Sequence, residues 1–140
     1  MWLYNGKEWH PPENFSSEDY YGFVYLITNE KTNQKYIGKK FFWSKKTLGI
    51  TKTRKRKKRL LIESDWKNYF GSNRLLNEEI THQGNTHFKR EILHFCKSRG
   101  ECAYMEAKEQ FDRDVLLTDE YYNGIIACKI GAPSVKNLKK

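Results

Sequence analysis

Two short apolar runs, GFVYLI at residues 22–27 and KYIGKKFFW at 35–43, stand on either side of the polar stretch TNEKTNQ. The β-branched and aromatic residues Phe23–Ile27 make a good strand, and KYIGKKFFW resumes an extended pattern. Two strands across a short polar turn predict an antiparallel hairpin. A glycine inside a strand marks a bend or a close approach to its backbone, so Gly38 is singled out. Each strand also carries a phenol, Tyr25 and Tyr36, near that glycine.

The rest of the chain adds three elements. ESDWKNYFGSNRLLNEEITHQG reads as a turn and then a helix, with Ser72 or Asn73 as its cap, a stripe of Leu75, Leu76 and Ile80, and Gly84 as its end. THFKREILHF alternates well enough for a third strand, although Leu93 breaks the alternation. Ser98 and Glu101 form a capping-box pair that opens a second helix through ECAYMEAKEQFDRDVLL. The order β-β-α-β-α predicts an α+β fold, a small three-stranded antiparallel sheet flanked by helices. Residues 1–19, broken by Pro11-Pro12, read as an irregular or short extended lead-in. A single domain is expected over residues 20–130, with a basic insert at about 44–62 and a basic tail at 131–140.

Charge narrows the partners. The 140 residues carry a net charge of +9, which suits a polyanion. No acidic residue occurs between Lys39 and Ile62, and KTRKRKKR at 52–59 holds seven cations in eight positions. Lys39, Lys52, Arg54, Lys55, Arg56, Lys57, Lys58 and Arg59 are therefore the residues expected to contact phosphates, without reading sequence. No apolar stretch approaches the roughly 20 residues that span a bilayer, so no membrane partner is expected. Three cysteines without a CxxC pair fit reduced thiols in a cytoplasm.

The pair GFVY…KYIG resembles the GIY-YIG nuclease motif. VYLITN…KYIGKK, YFGSN ahead of the first helix, FKREIL, MEAKEQF and YYNG follow in order over roughly residues 20–128, as in Seg-type phage endonucleases, which are related to homing enzymes. This resemblance implies metal-assisted hydrolysis of phosphodiesters in double-stranded DNA, in the host cytoplasm if the protein is phage-encoded. Glu106 in the second helix is the implied metal ligand, and one carboxylate plus phosphate and water suits Mg²⁺ or Mn²⁺. Glu109, three positions on, is its rival. Tyr25 is implied near the attacking water, Tyr36 in the same centre, and Asn123 is either a hydrogen-bonding partner of the site or a turn residue before Gly124.

A phenol with a pKa near 10 is a poor base at neutral pH unless cations favour its anion. Lys39 and Lys40 are expected to supply that field. The resemblance also implies an arginine on the first helix. Arg74 is the only one there, and Lys40 is the alternative, as a point charge. His82 and His87 are further acid candidates. A homodimer on DNA, or loose specificity, is expected of so small a domain. The competing reading is a catalytically inactive, basic nucleic-acid-binding module.

Overall fold

A computed structural model describes residues 1–53, 56 and 58–140. The predicted hairpin forms between β3 (Gly22–Asn29) and β4 (Lys35–Phe41), with Tyr25 directly opposite Gly38. β7 (Phe88–Cys96) pairs antiparallel with the other side of β3. Between β4 and β7 lie β5 (Trp43–Leu48), β6 (Lys58–Glu63), a 3-10 turn at Trp66–Asn68 and helix α1 (Arg74–Gln83). Helix α2 (Arg99–Asp112) follows β7.

β3 is an interior strand, between β7 and β4, and is buried almost throughout. Its alternating side chains serve two cores, as a strand covered on both faces requires. Phe23, Tyr25 and Ile27 face an aromatic cluster with Trp2, Phe42, Trp66, Leu76 and Ile92. Val24 and Leu26 face Ile37, Cys96, Cys102 and Val115, the last two contributed by α2 and the loop after it.

Leu93 breaks the alternation because it is a bulge. Val24 pairs with His94 and Tyr25 with Ile92, so Leu93 has no partner opposite it. The extra residue lets Ile92 and Phe95, three positions apart, both meet the aromatic core, while Leu93 and Cys96 both pack in the second core. The helix caps are those predicted: the Asn73 side chain accepts from Leu76 N at 3.0 Å, and Ser98 accepts from Glu101 N at 3.1 Å. Glu101 Oε2 in turn accepts from Lys97 N at 2.9 Å.

Three expectations need correction. The sheet has five strands, in the order β2-β1-β7-β3-β4, and it is mixed. The lead-in supplies the extra pair, β1 (Leu3–Tyr4) and β2 (Lys7–Glu8), with β1 running parallel to β7. Strands of two residues carry no readable periodicity, and the buried Trp2 indole holds them by donating to Trp66 O at 2.9 Å. Second, β4 stops at Phe41; Phe42 turns into the core, and Trp43 begins a separate two-stranded ribbon, β5-β6. Third, α2 ends at Asp112, two residues before Asp114 takes up a left-handed φ of 52°. The C-terminal Ala132–Leu138 segment forms 3-10 turns, with Ser134 against Gly100 at the start of α2.

Candidate active site

β4 is an edge strand, and only part of its edge is covered. The segment around Tyr121 runs parallel to Lys35: Lys35 N donates to Glu120 O and Tyr122 N donates to Lys35 O. Asn123 continues the cover. Its Oδ1 accepts from Ile37 N at 3.0 Å and its Nδ2 donates to Ile37 O at 2.8 Å, so one amide side chain mimics a neighbouring strand. Asn123 is thus neither a side-chain partner of the phenols nor only a turn residue; it clamps the YIG backbone. Asn123→Ala is expected to destabilise the fold by about 2 kcal/mol, because it strands the buried Ile37 N–H, while Ile37 O keeps its bond from Gln110 Nε2 at 3.3 Å. Urea unfolding measures this.

Beyond Ile37 the edge of β4 opens into a cleft of about 470 Å³. Tyr25, Tyr36, Lys39, Lys40, Arg99 and Glu106 are among its walls. Pairing puts Tyr25, Tyr36 and Gly38 on the aromatic side of the sheet and Lys39 on the α2 side, so the cleft straddles the strand. A neighbouring hollow of about 360 Å³ shares Tyr36, Lys39 and Glu106 and adds Arg74 and Asn123.

Gly38 is a glycine because of Tyr25. A Cβ there would land on the Tyr25 hydroxyl, within 2.5 Å of its Cζ and 2.9 Å of Tyr36 Cε2. Gly71, at φ +87°, closes the other side; its Cβ would lie 3.3 Å from the same hydroxyl. Tyr25 is almost fully buried, its ring 6.2 Å from Tyr36, 6.0 Å from Tyr69 and 5.6 Å from Trp2. Tyr36 is more open, with its hydroxyl 3.3 Å from Ser72 Oγ.

The expected cationic activation of the phenols is absent. Burial pushes the Tyr25 pKa well above the ordinary phenol value, and neighbouring Tyr69, Tyr36 and Glu106 push it the same way. Burial also raises Tyr36, against a smaller opposite pull from Ser72. The lysines are engaged elsewhere. Lys39 Nζ lies 3.2 Å from Glu106 Oε1, and Lys40 Nζ lies 2.6 Å from Asp65 Oδ1 and 4.1 Å from the centre of the Tyr69 ring.

Among the described residues Glu106 is the only carboxylate lining either cavity. Its side chain is 14% exposed, and burial raises its pKa although Lys39 opposes this. Glu109 turns away: it accepts from His94 at 2.7 Å and from Arg113 at 2.8 Å, which together hold its carboxyl below the usual range despite burial. Among the described residues no cluster of three or more metal-ligating side chains exists. A single carboxylate beside hydroxyls and open space fits a hard divalent ion that keeps its waters and shares a substrate phosphate; it does not fit a dedicated protein cage.

Arg74 is at the mouth of the smaller hollow, 93% exposed, with its Nε 3.0 Å from Glu78. Arg99 was not anticipated by the sequence reading. It begins α2, stacks over Phe41 at 4.9 Å and lines the main cleft. Its signal was present: it precedes Glu106 by seven residues, two helical turns, and so shares its face. His82 and His87 line neither cavity, and His87 bonds Gln83 at 2.8 Å. Lys52, Arg56 and Arg59 are exposed; Arg54, Lys55 and Lys57 lie outside the described residues, and Lys58 is placed by its backbone in β6.

A mixed α+β sheet with two phenols, a glycine and one buried glutamate gathered at a strand edge defines the class. Residues 2–126 match the family model described as "Putative endonuclease segE, GIY-YIG domain". The chain belongs to the GIY-YIG family of Seg-type endonucleases. No curated protein and no solved structure gives a significant match. No helix among the described residues is long and apolar enough to cross a membrane.

Proposed function

We propose that this protein is a divalent-metal-dependent endonuclease that hydrolyses phosphodiester bonds of double-stranded DNA, of the phage homing-like kind. The observation that carries the reading is the single cleft lined by Tyr25, Tyr36, Lys39 and Glu106 in a chain of net charge +9. Glu106 would hold Mg²⁺ or Mn²⁺, with Tyr36 and Ser72 hydroxyls near by. The ion, when bound, supplies Lewis-acid polarisation of the phosphoryl group and a more acidic water.

The chain's own residues do the rest. Tyr25 remains neutral at physiological pH, so its hydroxyl orients water or a phosphate oxygen by hydrogen bonding rather than acting as a standing phenolate. Lys39 is 34% exposed and Arg99 lines the same wall; both are placed to offset charge building on the phosphoryl oxygens. Lys40 and Arg74 are further cations at the rims of the two cavities, each needing to exchange an exposed carboxylate for phosphate. Lys52, Arg56 and Arg59 are exposed, and they would add phosphate contacts to the duplex.

The test is conversion of supercoiled plasmid by the purified protein, with Mg²⁺ or with a chelator. Nicking that needs the metal and falls at least about a hundredfold in Tyr25→Phe is the expected result. Undiminished DNA retention in a gel with no cleavage under any divalent ion would leave an inactive binding module instead.

A further inference from the structure

The β5-β6 ribbon is an arm rather than part of the sheet. Among the described residues the two strands pair only with each other. The base is fixed beside the cleft. Trp43 donates its indole N–H to Tyr20 O at 3.1 Å, Ser64 donates its hydroxyl to Phe41 O at 2.6 Å, and Lys45 lines the cleft wall. Past the base, Ser44, Lys45, Lys46, Thr47 and Arg59 are exposed, and so are Leu61 and Ile62, at 44% each.

Directly opposed residues of a ribbon share a face. Lys45 faces Leu61 and Thr47 faces Arg59 on one side; Lys46 faces Leu60 and Ser44 faces Ile62 on the other. Each face therefore sets an aliphatic side chain across from a lysine. Among the described residues Lys45, Lys46 and Arg59 make no ion pair, and no acidic residue occurs from position 39 to 62. A free two-stranded ribbon is marginal in water, so these side chains suit a surface that is anionic at its walls and apolar in places on its floor.

We infer that the ribbon lies in the major groove of duplex DNA beside the cleft, with its cations on the groove walls and Leu61 against base edges. This rests on the DNA reading above. A major groove about 12 Å wide admits a two-stranded ribbon in undeformed duplex, whereas the minor groove of about 6 Å must first be widened at a cost in bending energy. Six residues per strand reach about 20 Å, enough to cross it. The apolar feature of the groove floor is the thymine methyl, which gives Leu61 its contact.

The test is binding, by fluorescence anisotropy in chelator, to a short A·T-rich duplex made with thymine or with uracil. Methyl green, a major-groove ligand, should displace the protein, and the minor-groove ligand netropsin should not. The thymine duplex should bind tighter, and Leu61→Ser should weaken it roughly tenfold, erase the thymine preference and leave the salt slope unchanged. A thermal melt confirms that this surface variant folds. Displacement by netropsin alone, equal binding of both duplexes by the parent chain, or an unaffected Leu61→Ser protein overturns the assignment. So does light scattering that shows a free dimer which Leu61→Ser dissociates, since the ribbon would then pair with a second copy. Because no metal is present, loss of groove binding and failure of cleavage are read separately.

Discussion

Glu106→Gln is expected to hold plasmid DNA as the parent protein does and to nick it about a thousandfold more slowly. The amide keeps the shape of the side chain and removes the Glu106 carboxylate from the cleft wall. A second readout needs no activity. Burial holds the Glu106 pKa above the ordinary carboxylate value, so the folded chain binds this proton more tightly than the unfolded one. Its stabilising contribution is full below the unfolded pKa of about 4.3 and is lost as pH rises through the higher folded value. In metal-free buffer at neutral pH, Glu106→Gln should therefore melt at or above the parent temperature. Added Mg²⁺ should raise the melting temperature of the parent and not of the variant. Metal affinity of the parent should weaken as pH falls through the raised pKa, because proton and ion compete for one carboxylate. Nicking by Glu106→Gln at the parent rate would remove Glu106 as ligand.

Gly38→Ala should be the most damaging single methyl in the domain. The added carbon meets the Tyr25 phenol, and that ring has nowhere to go between Trp2, Phe23 and Tyr69. Overpacking of this kind costs about 1–3 kcal/mol. Urea unfolding should show that loss, and the surviving folded protein should nick poorly because the Tyr25 hydroxyl is displaced from the cleft. A variant within about 0.5 kcal/mol of the parent, the range of neutral surface changes, would mean that Tyr25 is not seated as described.

The contrast between these residues shows which parts of the design are written locally. The β3-β4 hairpin and the Asn73 and Ser98 caps each depend on neighbours a few positions away and could be read from the chain, as could the break in alternation at Leu93, though not its cause in the pairing with Val24 and Tyr25. The pairing of Leu3 with Glu91 could not, because it joins distant residues through two-residue strands. Asn123 was legible as a member of the site by resemblance, but its task was not, since it acts on the backbone of Ile37, 86 positions away. The phenols were misjudged for a related reason. Lys39 and Lys40 are near Tyr36 in sequence, yet in space Glu106 and Asp65 engage them, while burial governs the hydroxyls. Charge counted along a chain is a poor guide to potential at one atom. Glu106 and Glu109 teach the same point: three positions apart on one helix, they differ in partners and in the direction of their pKa shifts.

Trp2 stacks edge-on against Phe23 at 4.9 Å, lies 5.6 Å from Tyr25 and ties its indole to the carbonyl of Trp66. Trp2 thereby buttresses the wall of the candidate cleft from behind Tyr25. Proteolytic loss of the segment that carries Trp2 would slacken that wall while leaving the side chains that line the cleft chemically intact.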